Sequence, residues 1–261
     1  MTRTTPPRPV DVAALVPELR DHTATATRLH PRPGAPGVGD SSVGGPLLWP
    51  AAEPWPMCPQ DEGAMVPVAQ LYRRDIPDFA GPDGSDLLQV LWCPLDHPDE
   101  GYNPLVRLVW RRAGDVAEVL ADPPRPEEPE EQYVPEPCVV HPERVREYEY
   151  LGLLPPELRR RLARVDYQYD LSLAPGWKVG GFANWSLTDP HPVDCDVCGA
   201  GMTLLFTAAS SEWQGRGTWR PVEEPEGARP VPTGVTIGRG YSLYVFRCPG
   251  SFDHPPGTAM Q

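Results

Sequence analysis

The chain is poor in basic residues and contains almost no lysine. Lysine and arginine together number 23, against 36 aspartate and glutamate residues, and the formal net charge is −13. Lys178 is the single lysine, and the basic run Arg159-Arg160-Arg161 has acidic neighbours. We interpret that run as a solvated helix face. Because nucleic-acid-binding domains usually present a basic face, we expect no nucleic-acid partner.

Long apolar runs and enzyme signatures are also missing from the sequence. No stretch approaches the roughly eighteen consecutive apolar residues of a membrane-spanning helix. The first residues, Met1-Thr-Arg-Thr-Thr-Pro-Pro7, lack the apolar segment of a signal peptide. The nucleophile elbow, the HExxH motif, the Walker loop and the dinucleotide fingerprint are all absent. We therefore expect a cytoplasmic protein without membrane association, in which six cysteines stay reduced.

Proline, in contrast, is abundant. The 37 prolines limit long helices and central strands, whereas an apolar content of 40% with eight tryptophans is enough to fill a core. We therefore predict an α+β fold of mostly antiparallel β-sheets with a few short helices. Helices are predicted over residues 9–22, with a kink at Pro17, and 155–165; strands are predicted over 24–29, 65–72, 86–93, 105–110, 202–206 and 241–247.

An acidic, proline-rich segment divides the chain. Residues 121–137 are too polar and too rich in proline to form a core, so we expect an exposed linker there. The predicted organisation is a first repeat at 1–120 that includes the N-terminal helix, the linker at 121–137, and a second repeat at 138–261. The tail from Pro255 to Gln261 is expected to fray.

The most specific motif is a pair of cysteines three positions apart, Cys195 and Cys198, followed by Cys248 and His254. A C-x2-C turn directs both thiols to one point, and zinc takes four such ligands in a tetrahedron. We predict a closed zinc site from these four residues. Simple burial of the thiols and a Cys195–Cys198 redox pair stay open as alternatives. A redox pair of this type requires a helix after Cys198, whereas this sequence predicts a strand there.

Rare residues recur in the same order in the two parts of the chain. Such self-similarity indicates an internal duplication. The matches, first copy against second, are Gly44-Gly45 with Gly180-Gly181, Trp49 with Trp185, Cys58 with Cys195, Met65 with Met202, Cys93-Pro94 with Cys248-Pro249, and Asp96-His97 with Asp253-His254.

The duplication places a weaker set of donors in the first half. Asp61 stands where the second copy has Cys198, and a carboxylate ligates zinc less softly than a thiolate does. The set is either a second zinc site or a decayed one whose cysteines are buried as small apolar groups. Cys138 and His141 form a further C-x2-H pair, for which a strand is favoured over metal ligation. The four donors of the weaker set are Cys58, Asp61, Cys93 and His97.

Taken together, these motifs resemble the YwqG-like bacterial proteins, a family of unassigned function. The match covers about residues 10–250, although Cys58 lacks a second thiol three positions on. The Gly-Gly and Cys-x-x-Cys elements are also similar to the programmed cell death protein two family, whose members are binding chaperones for a ribosomal protein. The resemblance implies two similar, mostly antiparallel sub-structures and no known reaction; some relatives have been proposed as immunity partners of secreted toxins. The motifs that carry it are Asp40-Ser-Ser-Val-Gly-Gly-Pro-Leu-Leu-Trp-Pro50, Glu53-Pro-Trp-Pro-Met-Cys58, Leu87-Leu-Gln-Val-Leu-Trp-Cys93, Gly176-Trp-Lys-Val-Gly-Gly181, Cys195-x-x-Cys198-Gly-x-x-Met202 and Leu243-Tyr-Val-Phe-Arg-Cys-Pro249.

Two functions follow from these observations. The first is a zinc-stabilised protein-interaction module whose acidic, tryptophan-rich surface binds a basic polypeptide, as an adaptor, chaperone or immunity-type protein. Trp49, Trp55 and Trp185 are predicted to contact that partner. The alternative is a metal-dependent enzyme built on the first-half donors, because a mixed oxygen, sulfur and nitrogen set can leave a water on the metal. The oligomeric state is not readable from the sequence.

Overall fold

Two six-stranded antiparallel sheets form the framework of the protein. The computed structural model describes residues 2–214 and 217–261. Antiparallel sheets with a few short helices confirm the α+β class expected from the sequence. The strands are β1 (Thr23–Arg28), β2 (Arg32–Pro33), β3 (Ser42–Val43), β4 (Val66–Tyr72), β5 (Leu87–Trp92), β6 (Val106–Arg111), β7 (Cys138–Val139), β8 (Glu143–Tyr148), β9 (Lys178–Gly180), β10 (Thr203–Ala209), β11 (Ser242–Arg247) and β12 (Gly257–Met260).

The two sheets have matching strand orders. The first sheet runs β2-β7-β3-β4-β5-β6, and the second runs β8-β1-β9-β10-β11-β12. Strands β1 and β7 are exchanged between the sheets. Strand β1, from the early part of the chain, pairs with β8 and β9, whereas β7, from beyond the acidic segment, lies between β2 and β3. Each sheet therefore contains one strand from the far side of the acidic segment.

Corresponding strands also share a local irregularity. The pairing of β4 with β5 shifts register between Pro67 and Ala69, and that of β10 with β11 shifts between Leu204 and Phe206. Each shift inserts one extra residue, as a β-bulge does. Both glycine pairs adopt positive φ, and a Cβ built on Gly181 would lie 2.2 Å from Glu147 Oε2. Glycine is therefore required there both by backbone conformation and by the close approach of β8.

The inner faces of the two sheets meet in one hydrophobic core. The ring centroids of Trp92, in β5, and Trp177, just before β9, lie 6.4 Å apart, and Trp177 packs edge-on against Phe206 at 5.8 Å. All six residues of β5 are buried, as expected for a central strand. Alternation along the strand turns Leu88, Val90 and Trp92 toward this core and Gln89 to the outer face. The outer faces thus carry the polar side chains.

The helices are short and pack together at one flank. Helix α1 (Val12–Leu15) begins after Asp11, whose carboxylate accepts from Ala14 N at 3.0 Å. It is followed by a 3-10 helix, Pro17–Asp21, so the predicted helix over 9–22 is two short pieces that meet at Pro17. Helix α2 (Pro156–Leu162) buries two leucines in the same small cluster as α1. Among the described residues, no helix has both the length and the apolar character needed to cross a membrane.

Two segments pack more tightly than the sequence suggests. Tyr133, near the end of the acidic segment, is fully buried and donates its hydroxyl to Asp96 Oδ1 at 2.6 Å. The chain end forms β12 on β11, and Gln261 is only 5% exposed. The expected fraying of residues 255–261 is therefore wrong, because β11 offers backbone groups with which the tail pairs.

Candidate metal centres

The four late donors lie together at one end of the second sheet. Cys195 and Cys198 occupy the turn before β10, Cys248 directly follows β11, and His254 precedes β12. In the turn, Cys195 N donates to Ala200 O at 2.9 Å, and Gly199 N donates to Cys195 O at 2.7 Å. This curl brings both thiols beside the end of β11. We call Cys195, Cys198, Cys248 and His254 the Cys3His cluster.

The spacing within the Cys3His cluster fits ligands around one ion. All four donor atoms lie within 4.8 Å of one another. His254 Nδ1 is 3.3 Å from Cys195 Sγ and 3.4 Å from Cys248 Sγ, and Cys198 Sγ is 3.5 Å from Cys248 Sγ. With a zinc–sulfur bond of about 2.3 Å, ligands at the corners of a tetrahedron stand roughly 3.7 Å apart. All six cysteines are free, so the thiols are gathered here without a disulfide, and the cluster can hold a metal ion.

The electrostatics around Cys248 favour its thiolate. Burial raises the pKa of Cys248, but hydrogen bonds from the amides of Gly250 and Ser251 and from the thiols of Cys198 and Cys195 lower it by more, so the net pKa is below the ordinary thiol value. The Gly250 amide lies 3.3 Å from Cys248 Sγ. Metals bind the thiolate form, and this arrangement stabilises that form.

The same turn occurs in the first half of the chain. Cys58 N donates to Gly63 O at 2.8 Å, and Glu62 N donates to Cys58 O at 3.0 Å. Glu62 has a φ of 59°, and Gly199, at the equivalent place in the second turn, has a φ of 68°. Each turn is closed by an isolated β-bridge, Met57 with Ala64 and Asp194 with Gly201. The backbone around the two donor sets is therefore equivalent.

The first donor set is also assembled. Cys58 Sγ is 3.8 Å from His97 Nε2, which lies 3.9 Å from Asp61 Oδ2, and Cys93 Sγ donates to Asp61 Oδ2 at 2.9 Å. His97 Nδ1 lies 3.0 Å from Gln60 Oε1, a contact that orients the ring. The donor atoms again lie within 4.8 Å of one another, so this set can also hold a metal ion. We call Cys58, Asp61, Cys93 and His97 the Cys2AspHis cluster.

Asp61 and Cys93 shift each other's pKa. Burial raises the pKa of Asp61, yet hydrogen bonds from Cys93 and from the Gly63 amide bring the net pKa below the ordinary value. Burial, followed by the hydrogen bond to Asp61, raises the pKa of Cys93 well above that of a free thiol. The shared proton therefore resides on sulfur, and ligation by Cys93 requires its release.

The two clusters differ in their surroundings. The Cys2AspHis cluster adjoins a cleft of about 450 Å³, and the side chain of Asp61 is 26% exposed. Part of the acidic segment, residues 124–128, forms another wall of this cleft. In the Cys3His cluster, by contrast, Cys198 is the exposed member and lies at the tip of its turn. A carboxylate and a cleft thus distinguish the first cluster.

Cys138 and His141 lie apart from both clusters. Cys138 is fully buried in β7, where its thiol contacts Pro232 O at 3.4 Å, and burial raises its pKa to about 12. His141 N donates to Leu29 O at 2.7 Å just beyond the strand. These positions agree with the strand interpretation of the pair.

The three tryptophans predicted to contact a partner lie in the protein interior. Trp49, Trp55 and Trp185 are 1%, 8% and 7% exposed. Trp49 and Trp55 pack on each other at 5.2 Å, and Trp55 Nε1 donates to Met65 O at 2.8 Å. Their rings support the loops beside the clusters and leave little surface for a partner. Because tryptophan is large and mostly apolar, these rings are buried beneath loops and are not exposed to a partner as the sequence analysis predicted.

Sequence reasoning missed a cavity of about 380 Å³ on the outer face of the second sheet. Lys178, Thr207 and Tyr244 contribute to its lining from β9, β10 and β11. Lys178 is buried and pairs with Glu147, Nζ to Oε1 at 2.6 Å. The position of the single lysine between Trp177 and Val179 could have indicated a buried charged group with a partner, because lysine is rarely buried unpaired.

No protein-family model matches the chain, and no curated protein matches it.

Proposed function

We propose that the protein is a non-enzymatic protein-interaction module stabilised by two zinc ions, one in each cluster. The observation that carries the proposal is the convergence of four donors in each of two equivalent turns. Internal duplication accounts for the shared turn, bulge and strand order, and a YwqG-like origin of the chain, which rests on motifs alone, belongs to the same proposal.

Zinc suits both donor sets better than other ions do. Three thiolates and an imidazole form a soft set, which favours zinc over magnesium or calcium. Zinc accepts tetrahedral geometry without a redox change, and cytosolic thiols stay available to it. The Cys2AspHis cluster replaces one thiolate with the carboxylate of Asp61, which zinc also accepts at lower affinity.

The ions would act structurally. With four protein ligands, the Cys3His cluster leaves no open position for a substrate. Each cluster joins the turn before one strand, β4 or β10, to the end of its neighbour, β5 or β11. An ion there would tie these loops together in addition to the apolar contacts beneath them, and its binding energy would add to the folding energy.

The interaction role rests on exposed apolar residues at each of the two turns. Val197 is 60% exposed at the tip of the Cys3His turn, and Met57 is 48% exposed beside the Cys2AspHis turn. The net charge of −13 favours a basic partner through complementary charge. The expected setting is the cytoplasm, and the partner a basic polypeptide of adaptor, client or toxin type.

Metal analysis of the full-length protein, purified without chelator, tests the proposal. The expected result is close to two zinc ions per chain, with one ion lost in Cys195→Ala and the other lost in Cys58→Ala. Cys138→Ala is the matched control, since Cys138 is a buried cysteine outside both clusters, and it should keep both ions. Wild type without zinc, or equal loss in the control, would overturn the metal part of the proposal.

The interaction part is tested by capture of partners from native lysate. The zinc-loaded protein should retain a basic polypeptide in stoichiometric amount, and retention should fall steeply between 50 and 200 mM salt because exposed charges are screened. The same protein with Val197→Ser and Met57→Ser should capture less of that polypeptide while keeping its zinc. Salt-independent capture, or capture unaffected by the double substitution, would contradict the assigned surface.

A metal-dependent enzyme remains the second candidate, and one observation favours it. The cleft of about 450 Å³ reaches Asp61 and Cys93 directly, so displacement of the carboxylate would open a position for water or substrate at the ion. Turnover of small hydrolysable substrates that Asp61→Ala changes, with no captured partner, would favour this alternative over the module.

A further inference from the structure

The cavity on the outer face of the second sheet lies far along the strands from the Cys3His cluster. The cluster lies where β10 begins and β11 ends, whereas the cavity is bordered by residues where β10 ends and β11 begins, such as Ser211 and Tyr241. The segment after α2, including Tyr169 and Leu173, and the loop that carries Trp219 complete its lining. The cavity volume of about 380 Å³ falls in the range of small-molecule sites.

Three neighbouring side chains form the floor of the cavity. In the sheet register Thr207 pairs with Lys178 on one side and with Tyr244 on the other, so the three lie in one row across the strands. Lys178 Nζ donates to Glu147 Oε1 at 2.6 Å and to Phe182 O at 3.0 Å. An ammonium has three N–H donors, so one stays available on this floor.

Thr207 carries an unpaired polar group at the centre of this row. The residue is 3% exposed, and its hydroxyl has no hydrogen-bond partner among the described residues. A buried hydroxyl without a partner is destabilising, and buried polar groups in native proteins are paired in nearly all cases. Thr207 and Lys178 are neighbours in the sheet register, so the unpaired hydroxyl and the third N–H of Lys178 belong to adjacent residues of the floor.

On the equivalent face of the first sheet, hydrogen-bonded side chains occupy the corresponding positions. Gln70 and Gln89 pair in the register as Thr207 and Tyr244 do. Gln89 Nε2 donates to Gln70 Oε1 at 2.9 Å, and Gln70 Oε1 also accepts from Leu48 N at 2.7 Å. Arg111 Nε donates to Gln89 Oε1 at 2.8 Å. In the second sheet the central residue of the row, Thr207, is shorter than its counterpart Gln70, and a cavity lies beside it.

The charges around the cavity select a neutral ligand. Lys178 and Glu147 form a buried pair with no net charge, so the floor does not attract an anion. Asp170 lies in the lining and disfavours an anion further, and a cationic ammonium group would offer no acceptor to the donors of the floor. Two adjacent donors suit a carbonyl or carboxamide oxygen, and the aromatic rings of Trp219 and Tyr241 suit a flat apolar body.

We propose that this cavity binds a small, neutral, planar compound through a carbonyl or carboxamide oxygen, which accepts from Lys178 Nζ and Thr207 Oγ1. The site is separate from the metal clusters and does not depend on the module function.

Benzamide, benzoate and benzylamine are suitable probes because they share one ring and differ in charge. Each would be titrated into the zinc-loaded, ¹⁵N-labelled full chain, with amide chemical shifts followed by NMR. Benzamide should shift the amides of cavity residues such as Gly176 and Gly240, and benzoate and benzylamine should bind at least fivefold more weakly. Preference for either charged probe, or no shift at the cavity with benzamide, would overturn the proposal.

Substitution of Thr207 tests the assigned contact. Thr207→Val keeps the shape and removes the hydroxyl, so benzamide affinity should fall at least fivefold while the melting temperature is unchanged or higher. Thr207→Ser should restore binding, and Thr203→Val, at an exposed position of the same strand, should leave it unchanged. Equal affinity of the Thr207→Val protein and the wild type would show that the hydroxyl makes no contact and would overturn the assignment.

Discussion

The outer faces of the two sheets carry different side chains on the same backbone framework. In the first sheet Gln70, Gln89, Arg111 and Glu53 are linked by hydrogen bonds and fill the space above the strands. In the second sheet the equivalent row leaves a cavity beside a buried ion pair. Strand order and bulge are the same, so the difference lies in side-chain length and polarity. The first face is closed by hydrogen-bonded side chains, whereas the second keeps an open cavity.

The metal clusters should give the largest difference between the halves. Cys248→Ala removes a thiolate from the all-soft cluster and should lower the free energy of unfolding by about 4 kcal/mol, the linkage value for an ion present at a thousand times its Kd. With zinc in both clusters as proposed, Cys93→Ala should cost less, because a carboxylate such as that of Asp61 is a weaker zinc ligand than a thiolate. Urea unfolding alongside metal analysis measures both. A larger loss for Cys93→Ala would reverse the ranking of the clusters.

The buried pair beneath the cavity should give an effect of comparable size. Lys178→Met leaves Glu147 charged and without its main partner, which should cost about 3–5 kcal/mol in urea unfolding. The double variant with Glu147→Gln should recover much of that loss, since the amide is uncharged. Equal stability of the Lys178→Met protein and wild type would mean that the pair is not buried as described.

A matched pair of substitutions compares the two polar rows directly. Gln70→Leu should destabilise the protein by about 2–4 kcal/mol, because several buried groups lose their hydrogen bonds together. Thr207→Val, at the equivalent position, should be neutral or stabilise by up to about 1 kcal/mol, because its hydroxyl has no partner among the described residues to lose. Chemical denaturation of both variants gives the test, and similar costs at the two positions would remove the distinction between the faces.

The smallest expected effect is the pH dependence that the ion pair on the first face contributes. The hydrogen-bonded ion pair with Arg111 lowers the pKa of Glu53. Its contribution is therefore present above the ordinary glutamate value of 4.5 and is lost as the pH falls through the lowered pKa. Because Glu53 is partly exposed, the contribution should be at most about 1 kcal/mol. In the Glu53→Gln protein, the free energy of unfolding should fall less steeply at acid pH than it does in wild type. An unchanged fall at acid pH would contradict the ion pair.

The sequence was informative where chemistry is local. The C-x2-C spacing and the repeated offsets were enough to predict that Cys195, Cys198, Cys248 and His254 would meet, and strand periodicity located β4, β5 and β11 closely. Two-residue strands such as β7 have no periodicity, so their pairing could not be predicted. The cavity depends on which loops cover Thr207, a long-range property. The tryptophans were assigned to the surface because composition alone does not distinguish a ring that packs under a loop from one displayed above it.

The exchange of β1 and β7 has a consequence for biosynthesis. While the nascent chain emerges from the ribosome, β2 and β3 have no strand between them until β7, at Cys138–Val139, has been made. Likewise β1 waits for β8 and β9 before it gains either neighbour. Each side of the acidic segment thus supplies one strand to the sheet that the other side mainly forms. Neither sheet can therefore be completed until strands from both sides of the acidic segment have been synthesised, and halves produced as separate fragments should become ordered when mixed.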